Sequence, residues 1–219
     1  MMAKNRARAA ILAGLGGLAA LIAAILYVVF LMYKPAYSSS MSAQNAVQMG
    51  RTGNGLTATV HLNIEQAVGV GPHADWVGYQ TPNANDPHPG AFFHVPANTL
   101  VTVIIHNYDS QTALRNNYFT LVQGTVGGRE YVNGKAITVM DPAITSHTFT
   151  IADLGVNVPM MGIPSNAKAN SYETMKFTFR ASKKGVFRWQ CIVPCGFGLY
   201  GNGGPMQALG YMDGLITVT

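Results

Sequence analysis

The chain opens with a long uncharged apolar segment and then changes to short alternating segments. From Ala9 to Tyr33 there are 25 consecutive residues without a charge, almost all of them apolar. At about 1.5 Å per helical residue such a segment spans roughly 37 Å, which exceeds the ~30 Å hydrocarbon core of a bilayer. We therefore predict one N-terminal transmembrane helix, within a membrane anchor covering residues 1–33.

The charges before this segment predict its orientation. Lys4, Arg6 and Arg8 precede the apolar run, and the positive-inside rule then places the N-terminus in the cytoplasm. The alternative is a cleaved signal peptide, whose apolar core would be only about 7–15 residues. Both interpretations export the rest of the chain. We expect a single-pass protein of the cell membrane with an extracytoplasmic C-terminal domain.

After the anchor, residues 34–54 are small and polar and are interpreted as a linker or a short helix. From residue 55 the hydrophobic period becomes two. One face of the first run carries Leu56, Ala58, Val60, Leu62 and Ile64, and threonine, histidine and asparagine occupy the other face. Further short strand-like runs follow, among them a hairpin pair with Gly-Gly and Asn-Gly turns. Residues 55–219 are therefore predicted to form an all-β sandwich or barrel.

The composition and charge of the chain exclude some classes of function. Charged residues make up only 11% of the chain, against ~25% in ordinary soluble domains. The net charge is +5, but five of the 14 basic residues lie in or near the N-terminal segment, and the others are scattered. We therefore exclude nucleic acid as a partner. The sequence has no paired-carboxylate, Ser-His-Asp or phosphate-loop pattern, so we expect a non-catalytic component.

Both cysteines of the chain lie four positions apart in one glycine-rich loop, as Cys191 and Cys195. A disulfide between them could persist outside the cytoplasm, although entropic stabilisation by so short a ring would be small. A redox-active pair is more usually C-x-x-C beside a βαβ unit. The third interpretation is a metal site, because thiolate and thioether sulfur together with imidazole suit copper.

Three segments, in this order, resemble the copper-A domain in subunit II of haem-copper oxidases. They are "SHTFTIADLGV" (146–156), "GVFRWQCIVPCG" (185–196) and "YMDGLITV" (211–218). The resemblance covers roughly Leu100 to Thr219. It implies a cupredoxin-like Greek-key β-sandwich and an oxidase complex as partner. The copper ligands that it implies are His147, Cys191, the Val193 carbonyl, Cys195 and Met212, with Met206 as the less favoured methionine.

The sequence departs from that family at the second histidine. The family loop continues C-x3-C-x3-H-x2-M, whereas Leu199 and Asn202 stand at the last two positions here. No histidine follows His147. A histidine from elsewhere could substitute, the candidates being His88, His94 and His106. Otherwise the site could be mononuclear, or it could be empty with its two cysteines reduced or disulfide-linked.

Three functions follow from these alternatives. The first is a subunit II-like component of a respiratory or other membrane oxidase, either structural or electron-transferring. The second is a free-standing mononuclear copper protein for electron transfer. The third is an exported copper-binding or assembly module. Trp189, two positions before the first cysteine, could lie on an electron-entry path or could simply pack in the core.

Overall fold

The computed structural model describes residues 21–27, 47–53, 55–82 and 92–219. The chain divides into two compact units, residues 1–37 and 38–219. In the first unit, residues 21–27 are helical and exposed. No helix among the described residues is both long and apolar enough to cross a bilayer. The remainder of the predicted anchor and residues 34–46 of the predicted linker lie outside the described residues, so both stay predictions.

The described part of the second unit contains twelve β-strands. They are β1 (Val47–Thr52), β2 (Gly55–Glu65), β3 (Gly78–Gln80), β4 (Phe92–Val95), β5 (Leu100–Asn107), β6 (Glu130–Val132), β7 (Lys135–Ile137), β8 (Thr145–Ile151), β9 (Val156–Met161), β10 (Glu173–Arg180), β11 (Gly185–Gln190) and β12 (Asp213–Val218). Short 3-10 helices cover Asn117–Thr120, Pro142–Ile144, Ala152–Leu154, Leu199–Gly201 and Gly204–Met206.

The strands form two sheets. One has the order β1-β2-β5-β10-β6-β7, with β3 also paired to β2, and the other has the order β4-β12-β11-β8-β9. The pairs β2–β5 and β4–β12 are parallel, and the other strand pairs are antiparallel. Parallel neighbours cannot be joined by a tight hairpin, so the chain crosses between the sheets. This arrangement confirms the all-β sandwich predicted from the sequence.

Strand β1 lies within the segment interpreted above as a linker or a short helix. All six of its residues pair with β2, from Val47 opposite Val60 to Thr52 opposite Gly55. Val47 is half-buried and the other five residues are exposed. A strand with so little buried surface carries no hydrophobic alternation, and its sequence therefore looks like a linker.

The core lies between the sheets and follows the predicted period. Ala58, Val60, Leu62 and Ile64 of β2 are buried, as the alternation predicts. Trp189 is fully buried and stacks on Phe149, with ring centroids 5.0 Å apart. It also meets Tyr79 edge-on at 5.1 Å. Trp189 is thus part of the aromatic core, as in the packing interpretation.

Strand β8 differs from its neighbours because every one of its seven residues is buried. Its register with β9 shifts between Thr145 and His147. A bulge of this kind bends a strand and changes where the next side chain points. In this chain the displaced side chain is His147.

Candidate metal centre

His147 is fully buried on β8, and both of its ring nitrogens face polar atoms. Nε2 lies 2.9 Å from Oδ2 of Asp109. Nδ1 lies 3.8 Å from Sγ of Cys191. The imidazole therefore bridges a carboxylate on one side and a thiol on the other.

The two cysteines enter the site from the end of β11. Cys191 directly follows this strand, and its N–H donates to the carbonyl of Met212 at 2.8 Å. Cys195 brings its Sγ to 3.5 Å from Sγ of Cys191. Both are free thiols, with Cys191 buried and Cys195 half-buried. Because β8 and β11 are neighbours in one sheet, the histidine and the thiols meet.

The ligand atoms of His147, Cys191 and Cys195 all lie within 4.8 Å of one another. The carbonyl oxygen of Val193 is 3.5 Å from Sγ of Cys191. The structure thus brings together four of the five residues that the sequence proposes as ligands. Imidazole nitrogen and thiolate sulfur are donors that suit copper and zinc.

The methionine found beside the thiols is Met206. The resemblance to copper-A domains had favoured Met212 over Met206 as the ligand. Sδ of Met206 lies 3.1 Å from Sγ of Cys195. Met212 contributes through its backbone, since its carbonyl accepts from Cys191 and its N–H donates to Pro205 at 3.1 Å. Because its sulfur contacts a thiol, Met206 is the methionine considered in the donor set below.

The path of the loop explains why the sulfur of Met206 lies beside the thiols. Gly196 donates to Gly201 at 2.8 Å, and Phe197 and Gly203 exchange backbone hydrogen bonds of 3.2 and 2.9 Å. A Cβ added to Gly196 would lie 1.9 Å from the Gly203 carbonyl oxygen, so only glycine permits this approach. The loop is thereby folded back on itself, and the 3-10 turn Gly204–Met206 returns the methionine to the thiols.

The same path carries Leu199 away from the thiols. Leu199 stands where the copper-A motif has its second histidine, and it is 81% exposed. Among the other candidates, His94 lies 3.2 Å from the hydroxyl of Thr219, and His106 stacks on Tyr172 with centroids 4.4 Å apart. His88 lies outside the described residues. In the part of the chain that the structure describes, the cluster holds a single histidine.

The charges of the cluster stabilise one another. Burial alone would lower the pKa of His147, but the hydrogen bonds and charges of Asp109 and Cys191 outweigh burial and raise it to about 9. Burial raises the pKa of Cys191, yet hydrogen bonds from Cys195 and His147 and the imidazolium charge bring it well below its ordinary value. The hydrogen bond with Cys191, then burial, raises the pKa of Cys195 well above its ordinary value. These pKa directions favour a charged His147 ring beside a charged Cys191 sulfur.

Backbone contacts hold the loop against the sheet. The Ile192 N–H donates to Oγ1 of Thr148 at 2.9 Å, and the Tyr79 hydroxyl donates to the Thr148 carbonyl at 2.8 Å. At the other end of the loop, Oδ1 of Asp213 accepts from the Gly210 N–H at 3.0 Å, while Arg188 binds Oδ2. Hydrogen bonds from the protein itself therefore fix both ends of the loop.

Sequence reasoning assigned no role to Asp109. The segment "NYDS" (107–110) could have pointed to this residue, because it resembles the Asn-x-Asp passage of cupredoxins. In that resemblance, an inserted hairpin separates the passage from the histidine. In the structure, the segment between β5 and β8 includes the strands β6 and β7. Asn133 and Gly134 form its predicted tight turn, both with positive φ. The chain leaves after Asp109 and returns beside it at His147.

No known family model matches the sequence, and no curated protein matches it. Among solved structures, rusticyanin from Thiobacillus ferrooxidans is 16% identical, with 81% of this chain and 90% of that chain covered and a TM-score of 0.33. A chain from the cryo-EM structure of a haem-copper terminal oxidase dimer is 14% identical, with 94% of this chain and 99% of that chain covered and a TM-score of 0.34. Interpretation of the site rests on its own geometry.

Proposed function

We propose that this protein transfers electrons through a single copper ion held by His147, Cys191, Cys195 and Met206. The observation that carries the proposal is the convergence of one imidazole and two thiols within 4.8 Å, with the Met206 sulfur 3.1 Å from Cys195. Two thiolates, a thioether and an imidazole form a soft donor set that fits copper and does not fit magnesium or calcium. When bound, copper supplies one-electron exchange between its two common oxidation states.

A single ion is favoured over a copper-A pair by the position of Leu199. Two bridging thiolates can hold two coppers only if each copper also has a terminal ligand, and the family supplies a second imidazole for this purpose. Here that position is exposed at the turn Leu199–Gly201. His94 and His106 contact Thr219 and Tyr172 instead.

The protein contributes rigidity and exclusion of water. His147 and Cys191 are at most 1% exposed. The hydrogen bonds of Thr148 and Asp213 fix the loop ends, and the Asp109 carboxylate holds the ring of His147. Ligands held in this way move little when the charge at the centre changes, which suits electron transfer better than substrate chemistry.

The surface of the loop is suited to contact with another protein. Phe197, Leu199 and Tyr200 are more than half exposed, and the loop from Cys191 to Met212 carries no charged residue. A groove of about 450 Å³ lies beside it, lined in part by Leu114, Val193 and Pro194. A redox partner bound here would come close to the buried thiols.

We further propose that the domain is anchored in the membrane by residues 9–33, faces the extracytoplasmic side, and works with the subunits of a membrane oxidase. The uncharged apolar segment supports the anchor. The ordered match of the histidine strand, the Gln-Cys pair and the closing methionine strand to copper-A domains supports the oxidase.

Copper titration of the full-length protein in detergent tests the proposal. The reduced protein is loaded anaerobically, reoxidised, and examined for copper content, visible absorption and electron paramagnetic resonance. We expect one copper per chain, an intense thiolate-to-copper band, and hyperfine splitting from one copper nucleus. Zinc-loaded protein, which has no such band, is the control. Two coppers sharing the unpaired electron would contradict the single site, and failure to bind copper would refute the proposal.

Recovery of the tagged protein from solubilised membranes tests the partner. Co-purification of haem with the copper-loaded chain is expected of an oxidase component. A copper-containing chain recovered without haem would instead favour a free-standing electron-transfer protein. Cys195→Ser, which should lose the copper band, shows whether any association with haem depends on the metal.

A further inference from the structure

The contact between Asp109 and His147 determines which ring nitrogen faces the thiols. Oδ2 of Asp109 lies 2.9 Å from Nε2, and an ionised carboxylate can only accept a hydrogen bond. Nε2 must therefore be the donor. Nδ1 is left facing Sγ of Cys191 at 3.8 Å, on the side where the thiols and the Met206 sulfur gather.

Asp109 is itself held in a fixed orientation. Its N–H donates to Oδ1 of Asn107 at 2.9 Å, and its own Oδ1 accepts from the Ser110 N–H at 2.7 Å. Because each carboxylate oxygen has its own donor, Oδ2 is directed at the imidazole. The carboxylate cannot turn without losing one of these hydrogen bonds.

Asn107, at the end of β5, forms hydrogen bonds that hold the segment around Asp109 against β8 and β9. It is fully buried, and its Nδ2 donates to Oγ of Ser146 and to the carbonyl of Met161, both at 2.7 Å. Ser146 precedes His147 at the bulge of β8, and Met161 ends β9. The end of β5 is thereby locked to the strand that carries the histidine, although 38 positions separate Asp109 from His147.

We propose that Asp109, oriented by Asn107, is the positioning residue of the metal centre: it aims Nδ1 of His147 at the metal and places a negative charge against the far side of the ring. The inference rests on the proposed function, since a directed ring nitrogen matters only where a metal binds. Histidine ligands commonly donate their other N–H to a carboxylate, which fixes the ring and increases its basicity.

The test compares the full-length wild-type protein with Asp109→Asn, Asp109→Ala and the control Asp153→Ala, which removes an exposed carboxylate beyond the end of β8. Copper(I) affinity is measured by competition with a chelator of known affinity, and the reduction potential is measured by redox titration. Circular dichroism verifies the fold of each variant.

We expect Asp109→Ala to weaken copper(I) binding by about 10- to 100-fold. Asp109→Asn keeps the size of the side chain but offers one acceptor oxygen to two N–H donors, those of Ser110 and His147. It should also bind more weakly, and its reduction potential should rise because the charge beside the ring is gone. Asp153→Ala should match the wild type in both measurements.

Wild-type affinity and potential in Asp109→Asn would overturn the inference, because a residue that only supports the fold would leave the potential unchanged. A wild-type chain that binds no copper would refute the proposed function instead, so the two failures are distinct. If neither Asp109 variant folds, the inference is tested on the copper(I)-loaded wild type, by measuring exchange of the His147 ring proton with nuclear magnetic resonance. The Nε2 proton of His147 should be protected from exchange and strongly hydrogen-bonded, and a rapidly exchanging proton would overturn the inference.

Discussion

The sulfur of Met206 lies 3.1 Å from the sulfur of Cys195, although eleven positions separate the two residues. The chain between them doubles back through the Phe197–Gly203 pair and the turn Gly204–Met206. The thioether is therefore placed by the fold of one loop, and it lies beside the cluster of His147 and the two thiols. If copper binds here, Met206 would offer it a weak thioether ligand, which is a known means of tuning the potential of a copper site.

Met206→Leu removes this sulfur and keeps the approximate volume. We expect copper to remain bound by the imidazole and thiolates, with affinity lower by about tenfold, equivalent to ~1.4 kcal/mol. The reduction potential should rise, because loss of a donor destabilises the oxidised ion more than the reduced one. Redox titration and copper competition measure both effects.

Met212→Leu is the matched control, because Met212 is also a methionine of the loop region and is buried. A swap of similar volume should cost less than ~1.5 kcal/mol of folding stability and leave the copper spectrum unchanged. The reverse pattern, with Met212→Leu altering the spectrum and Met206→Leu silent, would restore the ligand assignment made from the sequence.

Leu199→His puts an imidazole back at the position that the copper-A motif gives to its second histidine. The side chain there is 81% exposed at the end of the folded-back loop, so the new ring should face water. We expect one copper per chain and an unchanged spectrum. Copper analysis and electron paramagnetic resonance measure this, with Leu199→Gln as a polar control that cannot act as an imidazole ligand. Uptake of a second, electronically coupled copper would show that the loop rearranges.

The hydrophobic period of β2 was a reliable guide to the core, whereas β1 was missed. Ala58, Val60, Leu62 and Ile64 are buried because one face of β2 meets the opposing sheet. In β1 the five residues after Val47 are exposed, so pairing of the backbone is what forms the strand. Any residue except proline can donate a backbone hydrogen bond, so the pattern of side chains does not show where such a strand forms.

The grouping of His147 with the two cysteines could be predicted because it depends on sheet order. Strands β8 and β11 are neighbours, and the ordered motifs of the copper-A resemblance imply that arrangement. The choice of Met206 could not be predicted in the same way. It depends on left-handed backbone conformations at Gly198, Tyr200, Gly201 and Gly204, which send the loop outward and then back.

Gly196→Ala tests whether the close approach within this loop holds the metal site together. The added Cβ would lie 1.9 Å from the Gly203 carbonyl oxygen and 3.1 Å from Cγ of Met206. The two loop segments must then separate, at a cost of about 1–3 kcal/mol in folding stability. We expect a lower melting temperature and weaker copper binding, measured by thermal denaturation and chelator competition.

Gly53→Ala is the control for that variant, since a Cβ there meets nothing within 4 Å. It should leave copper affinity and melting temperature close to those of the wild type. Copper binding by Gly196→Ala with wild-type affinity would mean that the site tolerates an opened loop, and the folded-back path would then not be what positions Met206.

Burial of Glu130 should make the folding stability depend on pH, whether or not the protein binds a metal. Its carboxyl is fully buried, and neither oxygen has a hydrogen-bond partner among the described residues. Burial raises its pKa well above the ordinary carboxyl value. Below that ordinary value, about 4.3, both folded and unfolded chains carry a neutral carboxyl and the group has no effect. Above it only the unfolded chain ionises, so the free energy of unfolding should fall by up to ~1.4 kcal/mol per pH unit until the folded pKa is reached.

Glu130→Gln keeps the shape of the neutral acid and cannot ionise. We therefore expect its free energy of unfolding, measured by denaturant titration at a series of pH values, to rise relative to wild type as pH increases above about 4.3. Asp153→Asn removes a carboxyl group that is exposed on the surface, and this variant should follow the wild-type curve. If the wild-type and Glu130→Gln curves stay parallel from acid to neutral pH, then Glu130 is ionised in the folded protein, and a cation or water must reach its carboxylate in the core.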